Sequence, residues 1–273
     1  MECRRASVSM FGSFTGNTAS AGTDWGEQML NTVASRSIAH LFTKSESVDV
    51  QIRCSPSSKL LQGAIDSFKM SGRGLVIRKR FPVREMSFET DTVAIDFSSV
   101  LKGQLNLKQP TQAIAQVVLT EDGINESFHA DLVTRRLQDL NLPGLESISG
   151  GNPVSFSNVS IELHANNRIQ LQAIAKIPDR DEIPIALRTT IQIERRRRIV
   201  FTEAEFLAAE VPESLREDSE ALSRALLTSL NDMVDLDRFD LDGVMLRLNR
   251  LETKGKTLLF SGYAQISHFP RSG

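Results

Sequence analysis

The sequence predicts an α+β protein in which curved antiparallel β-sheet meanders wrap around long amphipathic helices. In the segment 154–206, apolar residues occupy odd positions from Ile161 to Phe201 while most even positions are polar, which indicates strands with one buried face. Short polar turns at 165–168 and 178–182 join these strands, so strands that are adjacent in the chain should pair with each other. Single long helical patterns separate this meander from the other strands.

The chain begins with a polar segment that is followed by one helix. Residues 1–25 predict a disordered tail, and an organelle transit peptide is the alternative because residues 3–23 contain two Arg and no acidic residue. The apolar residues of 27–42, such as Leu30 and Ala34, recur at helical spacing. We therefore expect an amphipathic helix that packs on the core.

Strands dominate the next part of the chain. We expect them at 47–54, 64–78, 86–97, 105–107 and 113–119. Gly72 and Gly74 indicate a bend or bulge in the second of these strands. The apolar positions of the third change parity near Asp91, which predicts a bulge there.

Two long helices are expected, each after a group of strands. Thr120 should cap the first, at 121–140, because the next two residues are acidic and favour a helix N-terminus. The same order of apolar strand, Thr and acidic residues recurs at Thr202, where we expect a short helix from Glu203. The second long helix is predicted at 213–234. The repeated junction suggests two related halves of the chain.

The segment 154–206 should form three long strands, with a tight hairpin at 165–168 because Asn tolerates positive φ. Two last strands are expected at 244–251 and 257–267. The chain is thus predicted to be a single domain over 26–270. Its sheet-plus-helix halves, 46–142 and 153–268, would place the two long helices as equivalent elements across a concave face.

Composition excludes several classes of protein. Lys and Arg number 32 against 34 Asp and Glu, so a net charge of −2 gives no overall attraction to nucleic acid or an anionic membrane. One Trp and one Tyr are too few for a platform that stacks single-stranded nucleic acid. The two cysteines form neither a disulfide framework nor a zinc site. Because no apolar run resembles a membrane span or a signal peptide, we expect a cytoplasmic protein, with organelle targeting open.

The sequence shows no pattern typical of an enzyme or of a cofactor site. The four His residues are far apart and lack metal-ligand spacing, and the motifs of serine hydrolases, nucleotide-binding loops and dinucleotide-binding folds are absent. The acidic segment 235–243 has Arg238 and Asn249 where a calcium loop requires carboxylates, so we expect a turn there. The expectation is no catalysis, no metal and no cofactor.

Two basic clusters are candidate contacts for a lipid headgroup or a membrane. They comprise Arg78, Lys79, Arg80, Arg84, Arg195, Arg196, Arg197 and Arg198. Side chains alternate between the two faces of a strand, so the run 195–198 would put two arginines on the apolar side. We therefore expect this run at the end of a sheet, either as a solvated rim that discourages edge pairing or as an anion site.

The first half of the chain resembles a known family. The runs VDVQIRCSPSSKLLQGAIDSFKMSGRGLVIRK, at 48–79, and MSFETDTVAIDFSSVLKGQLNLKQPTQAIAQVVLTEDGINESF, at 86–128, are similar to the bacterial LmeA family of phospholipid-binding proteins. The resemblance extends over most of 27–267. That family is in turn similar to the tubular lipid-binding (TULIP) superfamily, in which a curved antiparallel sheet wraps a long helix around an apolar groove for acyl chains.

The resemblance implies non-catalytic binding of a phospholipid or another acyl lipid, with lipid carriage or association with a membrane surface. The side chains expected to line the groove are Val50, Ile65, Phe88, Ile95, Phe97, Leu107, Phe128, Ile161, Leu163, Leu171, Ile185, Ile191, Ile193 and Leu226. Small residues on the strands, such as Ala173 and Ala175, leave room for a ligand, but they can equally pack on helices. The alternative is therefore a structural or assembly factor that binds a protein partner and no lipid. Neither alternative involves nucleic acid.

Overall fold

The structure is a computed structural model that describes residues 30–268, except 37, 40, 41, 57, 78, 79, 103, 105, 235 and 237–242. The predicted tail at 1–25, most of the acidic turn at 235–243, and two residues of the first basic cluster, Arg78 and Lys79, lie outside the described residues. The described part is an α+β protein whose sheets are antiparallel. The predicted fold class is confirmed at that level.

Twelve strands are described: β1 (Ser47–Arg53), β2 (Ala64–Ile65), β3 (Ser67–Ile77), β4 (Phe81–Thr90), β5 (Val93–Ala94), β6 (Thr111–Thr120), β7 (Ser155–Leu163), β8 (Arg168–Lys176), β9 (Ile183–Glu194), β10 (Arg198–Phe206), β11 (Val244–Lys254) and β12 (Thr257–Ile266). The described helices are α1 (30–39, residue 37 excepted), α2 (Ser58–Leu61), α3 (Phe97–Val100), α4 (Glu121–Ser127), α5 (Asp131–Thr134), α6 (Glu146–Ser149) and α7 (Arg216–Met233). None of the described helices is long and apolar enough to cross a membrane.

The strands form two large sheets and one small one. The six-stranded sheet has the order β1-β3-β4-β6-β12-β11, the four-stranded sheet has the order β10-β9-β8-β7, and β2 pairs with β5. The predicted hairpin between β7 and β8 is confirmed, with φ of +59° at Asn166 and +60° at Asn167. β11 and β12, the two last strands, are confirmed as a hairpin.

The main hydrophobic core lies between the four-stranded sheet and α7, as the sequence pattern predicted. Leu222, Leu226 and Leu230 recur every four residues on α7 and are buried against β9 and β10. Ser219 is also buried on this face, and its hydroxyl donates a hydrogen bond of 2.6 Å to the carbonyl of Pro184. Because the Ser219 side chain is small and its hydroxyl is hydrogen-bonded to the β9 backbone, the helix can approach the sheet closely.

A second core cluster lies in the first half of the chain. Leu30, Ala34 and Ile38 on α1 are buried, as the helical spacing predicted, and they belong to one cluster with Val50 and Ile52 of β1. Leu251 and Leu258, from the six-stranded sheet, join the main core instead. The buried apolar residues of the described chain form four clusters, of which the main core and this second cluster are the two largest.

The long helix predicted at 121–140 is wrong. α4 ends at Ser127, α5 is a single turn, and Leu140 exchanges backbone hydrogen bonds of 2.8 and 2.9 Å with Val154 as an isolated bridge. Residues such as Ser127 and Thr134 have low helix propensity, and their hydroxyls bond to the carbonyls of the preceding turn. The end of this segment therefore pairs with Val154, just before β7, and does not continue as a helix.

The helix predicted from Glu203 is also wrong, since β10 continues to Phe206. Thr202 pairs with Thr190 of β9, and the register shifts between Thr202 and Glu205 at a β-bulge where Glu203 has φ of +54°. The hydroxyl of Thr202 donates to the carbonyl of Thr190 and caps no helix. The two related halves stay a prediction, without the junction that suggested them.

Four further expectations about strands need correction. The segment 86–97 is not one bulged strand, because the chain leaves the six-stranded sheet after β4 and Asp96 caps α3, which begins at Phe97. Leu107 makes only an isolated bridge, with Ile95. Gly74 has φ of +56°, but β3 keeps one register against β4 on both sides of it, so the bulge is excluded and only the alternative of a bend stays a prediction. The segment 154–206 contains four strands and not three, because a turn separates β9 from β10.

Candidate functional site

Four consecutive arginines lie where β9 turns into β10, with residues 195–197 in the turn and Arg198 at the start of β10, and we call them the arginine turn. The sequence placed them at a sheet end, and the structure does the same. Arg195 and Arg196 have φ of +49° and +60°, which is the left-handed region that Asn or Gly usually occupies at the centre of a tight hairpin. Left-handed backbone at non-glycine residues is unfavourable and clusters at functional sites, which makes these two side chains candidates for a function.

The four guanidinium groups have different surroundings. Arg198 is turned towards the protein, where it lies 3.5 Å from the carboxylate of Glu194 and donates to the carbonyl of Asn231 at 3.3 Å. Arg195 and Arg196 are exposed, and neither forms an ion pair with any residue in the described part of the chain. The guanidinium carbon of Arg196 lies 5.7 Å from the centre of the Tyr263 ring, within the range of a cation–π contact.

The arginine turn contacts the edge strand of the six-stranded sheet. The N–H of Leu248 in β11 donates a hydrogen bond of 2.6 Å to the carbonyl of Arg196. The register of β11 on β12 shifts between Leu248 and Arg250, so Asn249 is the extra residue of a β-bulge. Bulges bend a strand and redirect side chains, and this one directly follows the residue of β11 that bonds to the arginine turn.

A cavity of about 650 Å³ lies at this contact, and we call it the main cavity. Its lining residues are Ile193, Arg195, Arg196, Leu248, Asn249 and Tyr263. Binding sites for small ligands usually measure about 300–1,000 Å³ and combine apolar walls with a few polar groups. The main cavity has that volume and a mixed apolar and polar lining, and it is widely open to solvent.

A second cavity of about 360 Å³ lies on the other side of the Arg196–Tyr263 contact. Its lining residues are Gln112, Arg196, Met245, Arg247, Tyr263, Ala264 and Gln265. Arg196 and Tyr263 belong to both linings. The stacked pair therefore forms the common wall of two adjacent cavities, each with at least one guanidinium group.

This arrangement suits an anionic amphiphile. Guanidinium groups donate several hydrogen bonds in one plane and bind phosphate strongly, and Arg195 and Arg196 have such donors available at the rim of the main cavity. Ile193 and Leu248 give the same cavity an apolar wall, and Ile193 packs against the main core. Among the described residues, no group of three His, Cys, Asp or Glu side chains is placed to hold a metal ion.

The side chains predicted to line an acyl groove are divided between two hydrophobic clusters. Ile161, Leu163, Leu171, Ile185, Ile191 and Leu226 are buried in the main core, with Phe128 and Ile193 at its margin. Val50, Ile65 and Ile95 are buried in the second cluster, with Phe88, Phe97 and Leu107 packed against it. Only Ile193 lines the main cavity. Alternating apolar residues mark the buried face of a strand, whether a ligand or a helix covers that face.

The first basic cluster lies elsewhere on the six-stranded sheet. Arg80 is exposed in the turn between β3 and β4, and Arg84 lies on β4 with its Nε 3.8 Å from the carboxylate of Glu85. Neither residue lines a cavity with the arginine turn. The two basic clusters are therefore not parts of one anion site among the described residues.

Sequence reasoning missed the residues that β11 and β12 contribute to the site. Leu248, Asn249 and Tyr263 follow the arginine turn by more than fifty positions, and only the sheet topology brings them to it. One signal was present in the sequence. Tyr263 is the only Tyr of the chain and follows Gly262, a residue that can mark a close approach of two strands.

The comparisons with known proteins give a family match. The family model described as LmeA-like phospholipid-binding matches residues 21–262, which is nearly the whole chain. No curated protein and no solved structure matches the chain.

Proposed function

This chain belongs to the LmeA-like phospholipid-binding family, and we propose that it binds a phospholipid in the main cavity without catalysing a reaction. The phosphate would lie between the guanidinium groups of Arg195 and Arg196. The glycerol and the first methylenes would contact Ile193 and Leu248. The observation that carries the proposal is that one cavity of about 650 Å³ combines an apolar wall with two guanidinium groups that form no ion pair with any described residue.

The electrostatic part of the proposal depends on the surroundings of the two exposed arginines. Neither has a carboxylate partner among the described residues, so an incoming phosphate would not have to displace one there. Hydrogen bonds to charged groups contribute about 1.5–3 kcal/mol each, and planar guanidinium groups can make two such bonds to one phosphate. The phosphate would thus supply much of the affinity.

The acyl chains would extend from the main cavity along the contact between β9 and β11. Ile193 connects the cavity wall to the main core, so a chain that passes it would reach apolar surroundings. Deeper insertion requires the arginine turn to separate from β11, which breaks the hydrogen bond from Leu248 to Arg196. Each buried methylene contributes about 0.8 kcal/mol, so affinity should rise with chain length. A site that opens at the protein surface suits lipid carriage.

A structural or assembly factor is the second candidate, and one observation favours it. The predicted groove residues of the main core pack on one another, and Leu171, Ile185 and Leu226 expose 2% of their surface or less. An interior filled by its own side chains needs no lipid. Lipid that is extracted from the purified protein and identified by mass spectrometry separates the two candidates, because only the first predicts a stoichiometric phospholipid.

The direct test of the proposal is a titration with a fluorescent phosphatidylglycerol. We expect saturable binding that Arg195→Gln/Arg196→Gln weakens at least tenfold, because about 1.4 kcal/mol corresponds to a factor of ten. The matched control is Arg135→Gln/Arg136→Gln, which removes two adjacent exposed arginines that have no side-chain partner in the described structure. Equal effects of the two double variants, or no saturable binding by the wild type, would reject the proposed site.

A further inference from the structure

Three large apolar side chains are exposed close to the arginine turn. Ile114 on β6, Met245 on β11 and Tyr263 on β12 have 61%, 52% and 45% of their surface exposed. Tyr263 lies directly opposite Ile114 on one neighbouring strand and opposite Arg247 on the other. Directly opposite residues of antiparallel strands project from the same face of the sheet. The three strands therefore present one row of apolar, aromatic and cationic side chains to solvent.

Among the described residues, the neighbours of this row are two glutamines, an arginine and a carboxylate that is paired with a lysine. Met245 lies opposite Gln265, which lies opposite Gln112. Arg196 covers the ring of Tyr263 from the side of the arginine turn. On the other side Glu89 lies opposite Ile114, but this carboxylate is 3.6 Å from the ammonium group of Lys69. We call Ile114, Met245, Tyr263, Arg196 and Arg247 the docking patch.

We propose that the docking patch lies on the surface of an anionic lipid bilayer. This inference rests on the proposed function, because the patch shares Arg196 and Tyr263 with the main cavity. Tyr has an apolar ring and a polar hydroxyl, and such side chains are enriched at the boundary between headgroups and acyl chains. Arg196, which forms no ion pair with any described residue, supplies charge that anionic headgroups attract.

The docking patch and the main cavity are adjacent because Arg196 and Tyr263 belong to both. When Ile114, Met245 and Tyr263 reach the headgroup layer, the opening of the main cavity lies at the same depth, because Tyr263 belongs to both surfaces. A phospholipid could then move between the bilayer and the cavity without crossing bulk water. The patch would serve lipid uptake and release, while the main cavity retains the lipid.

The test measures co-sedimentation with vesicles of phosphatidylcholine that contain 30% phosphatidylglycerol, or none. We expect binding to the anionic vesicles only, and binding that weakens in high salt. Ile114→Asp should lower the apparent affinity at least fivefold, whereas Ile114→Lys should retain it. The matched control is Leu61→Asp, since Leu61 is 72% exposed on α2 and lies outside the patch. Ile114→Ser serves as a milder variant if Asp unfolds β6, and a loss of at least twofold is expected.

A second assay separates this inference from the proposed function. Dihexanoyl phosphatidylglycerol below its micelle concentration reports on the cavity alone, and Ile114 lines neither cavity. We expect Ile114→Asp to change its binding less than twofold. Vesicle binding that Ile114→Asp leaves unchanged, or that Leu61→Asp lowers equally, would overturn the docking patch even if short-chain lipid still binds. Failure of the wild-type protein to bind anionic vesicles would also overturn the proposal and would favour a protein partner for this patch.

Discussion

Asn167 and Thr253 exchange two hydrogen bonds of 2.9 Å between the two large sheets. The N–H of Thr253 donates to the side-chain oxygen of Asn167, and the N–H of Asn167 donates to the hydroxyl of Thr253. The side-chain Nδ2 of Asn167 also donates to the carbonyl of Leu251 at 3.1 Å. An Asn from the β7–β8 turn thus occupies, on the free edge of β11, the pairing positions of a missing strand.

The other three edges of the large sheets are bonded by asparagine in the same way. The side-chain oxygens of Asn31 and Asn231 accept from the N–H groups of Ile52 in β1 and Phe201 in β10, at 2.9 and 2.8 Å. Asn125 on α4 both accepts from Ile161 in β7, at 2.7 Å, and donates to it, at 3.0 Å. A carboxamide has the donor and acceptor of a peptide group, so it satisfies an edge without inviting another strand.

We expect Asn125→Ala to destabilise the fold by about 1–3 kcal/mol, because Ile161 would keep a partly buried N–H and carbonyl without a partner. Asn167→Gly should cost a similar amount, and Gly is chosen there because φ is +60°. Urea unfolding measures both. Asn152→Ala is the control, since this exposed side chain makes no hydrogen bond in the described structure, and it should change stability by less than about 0.5 kcal/mol. Equal stability of the Asn125 variant and this control would contradict the role of the edge asparagines.

Leu226 tests the placement of α7 on the four-stranded sheet. Its side chain has no exposed surface, so Leu226→Ala should leave a cavity and cost about 2–5 kcal/mol in denaturant unfolding. The prediction of two equivalent long helices placed Phe128 on the inner face of the first, as Leu226 lies on that of the second. In the structure Phe128 is only partly buried, at the end of α4. Phe128→Ala should therefore cost less than Leu226→Ala. A larger loss at Phe128 would show that the core is centred elsewhere.

Glu121 gives the stability a dependence on pH. Its carboxylate accepts a hydrogen bond of 2.7 Å from the N–H of Leu163 and lies 2.9 Å from the ammonium group of Lys256. Burial raises the pKa of Glu121, but the two partners together lower the pKa by more than burial raises it. The pKa of Glu121 therefore lies below its usual value. The folded state therefore favours the ionised form. Its stabilisation is complete above the unfolded pKa of about 4.3 and is lost as the pH falls through the lower folded value.

Glu121→Gln isolates this contribution, since the amide oxygen can still accept from Leu163. We expect the variant to be less stable than the wild type at pH 6, and the difference to shrink between pH 5 and pH 3 as the wild-type carboxylate is protonated. Urea unfolding across this range measures the difference. Glu126→Gln, at an exposed position on the same helix, is the matched control. A difference that stays constant down to pH 3 would contradict the assignment.

Gly262 tests the bulge that shapes the main cavity. A Cβ at this position would lie 1.9 Å from the carbonyl oxygen of Arg247, a contact that only backbone movement can relieve. Gly262→Ala should therefore cost about 1–3 kcal/mol and displace β11 from the arginine turn, which weakens lipid binding. At Gly72 the added Cβ would meet only the side chain of Leu75, so Gly72→Ala should cost less. Wild-type stability of Gly262→Ala would rule out this close approach.

Local signals in the sequence were sufficient where the backbone depends on neighbouring residues. The Asn pair of the β7–β8 hairpin has the predicted positive φ. Thr120 caps α4 as predicted, because its hydroxyl accepts from the N–H of Gly123 at 3.0 Å. The leucines of α7 face the core at the predicted spacing. In each case a turn residue, a cap or a helical period decides the outcome within a few positions.

Identical local signals failed where pairing between distant residues decides the structure. Thr202 is followed by the same acidic pattern as Thr120, but its strand continues because Thr189 and Thr190 of β9 bond to it. The position of the arginine turn at a sheet end was predictable from strand alternation. Its partners were not, since the bulge at Asn249 and the pairing of β12 with β11 bring them there. Alternating apolar residues also predict that one face of a strand is buried, but not whether a lipid or a helix packs on that face.

The most direct test of the lipid site is photo-crosslinking with a phosphatidylglycerol whose acyl chain carries a diazirine near its ester. Mass spectrometry then locates the labelled peptides. We predict saturable labelling of the segments that contain Ile193, Leu248 and Tyr263, which excess unlabelled lipid prevents and Arg195→Gln/Arg196→Gln reduces. Labelling concentrated on α1 and β1, or labelling that unlabelled lipid does not reduce, would contradict a phospholipid site at the arginine turn.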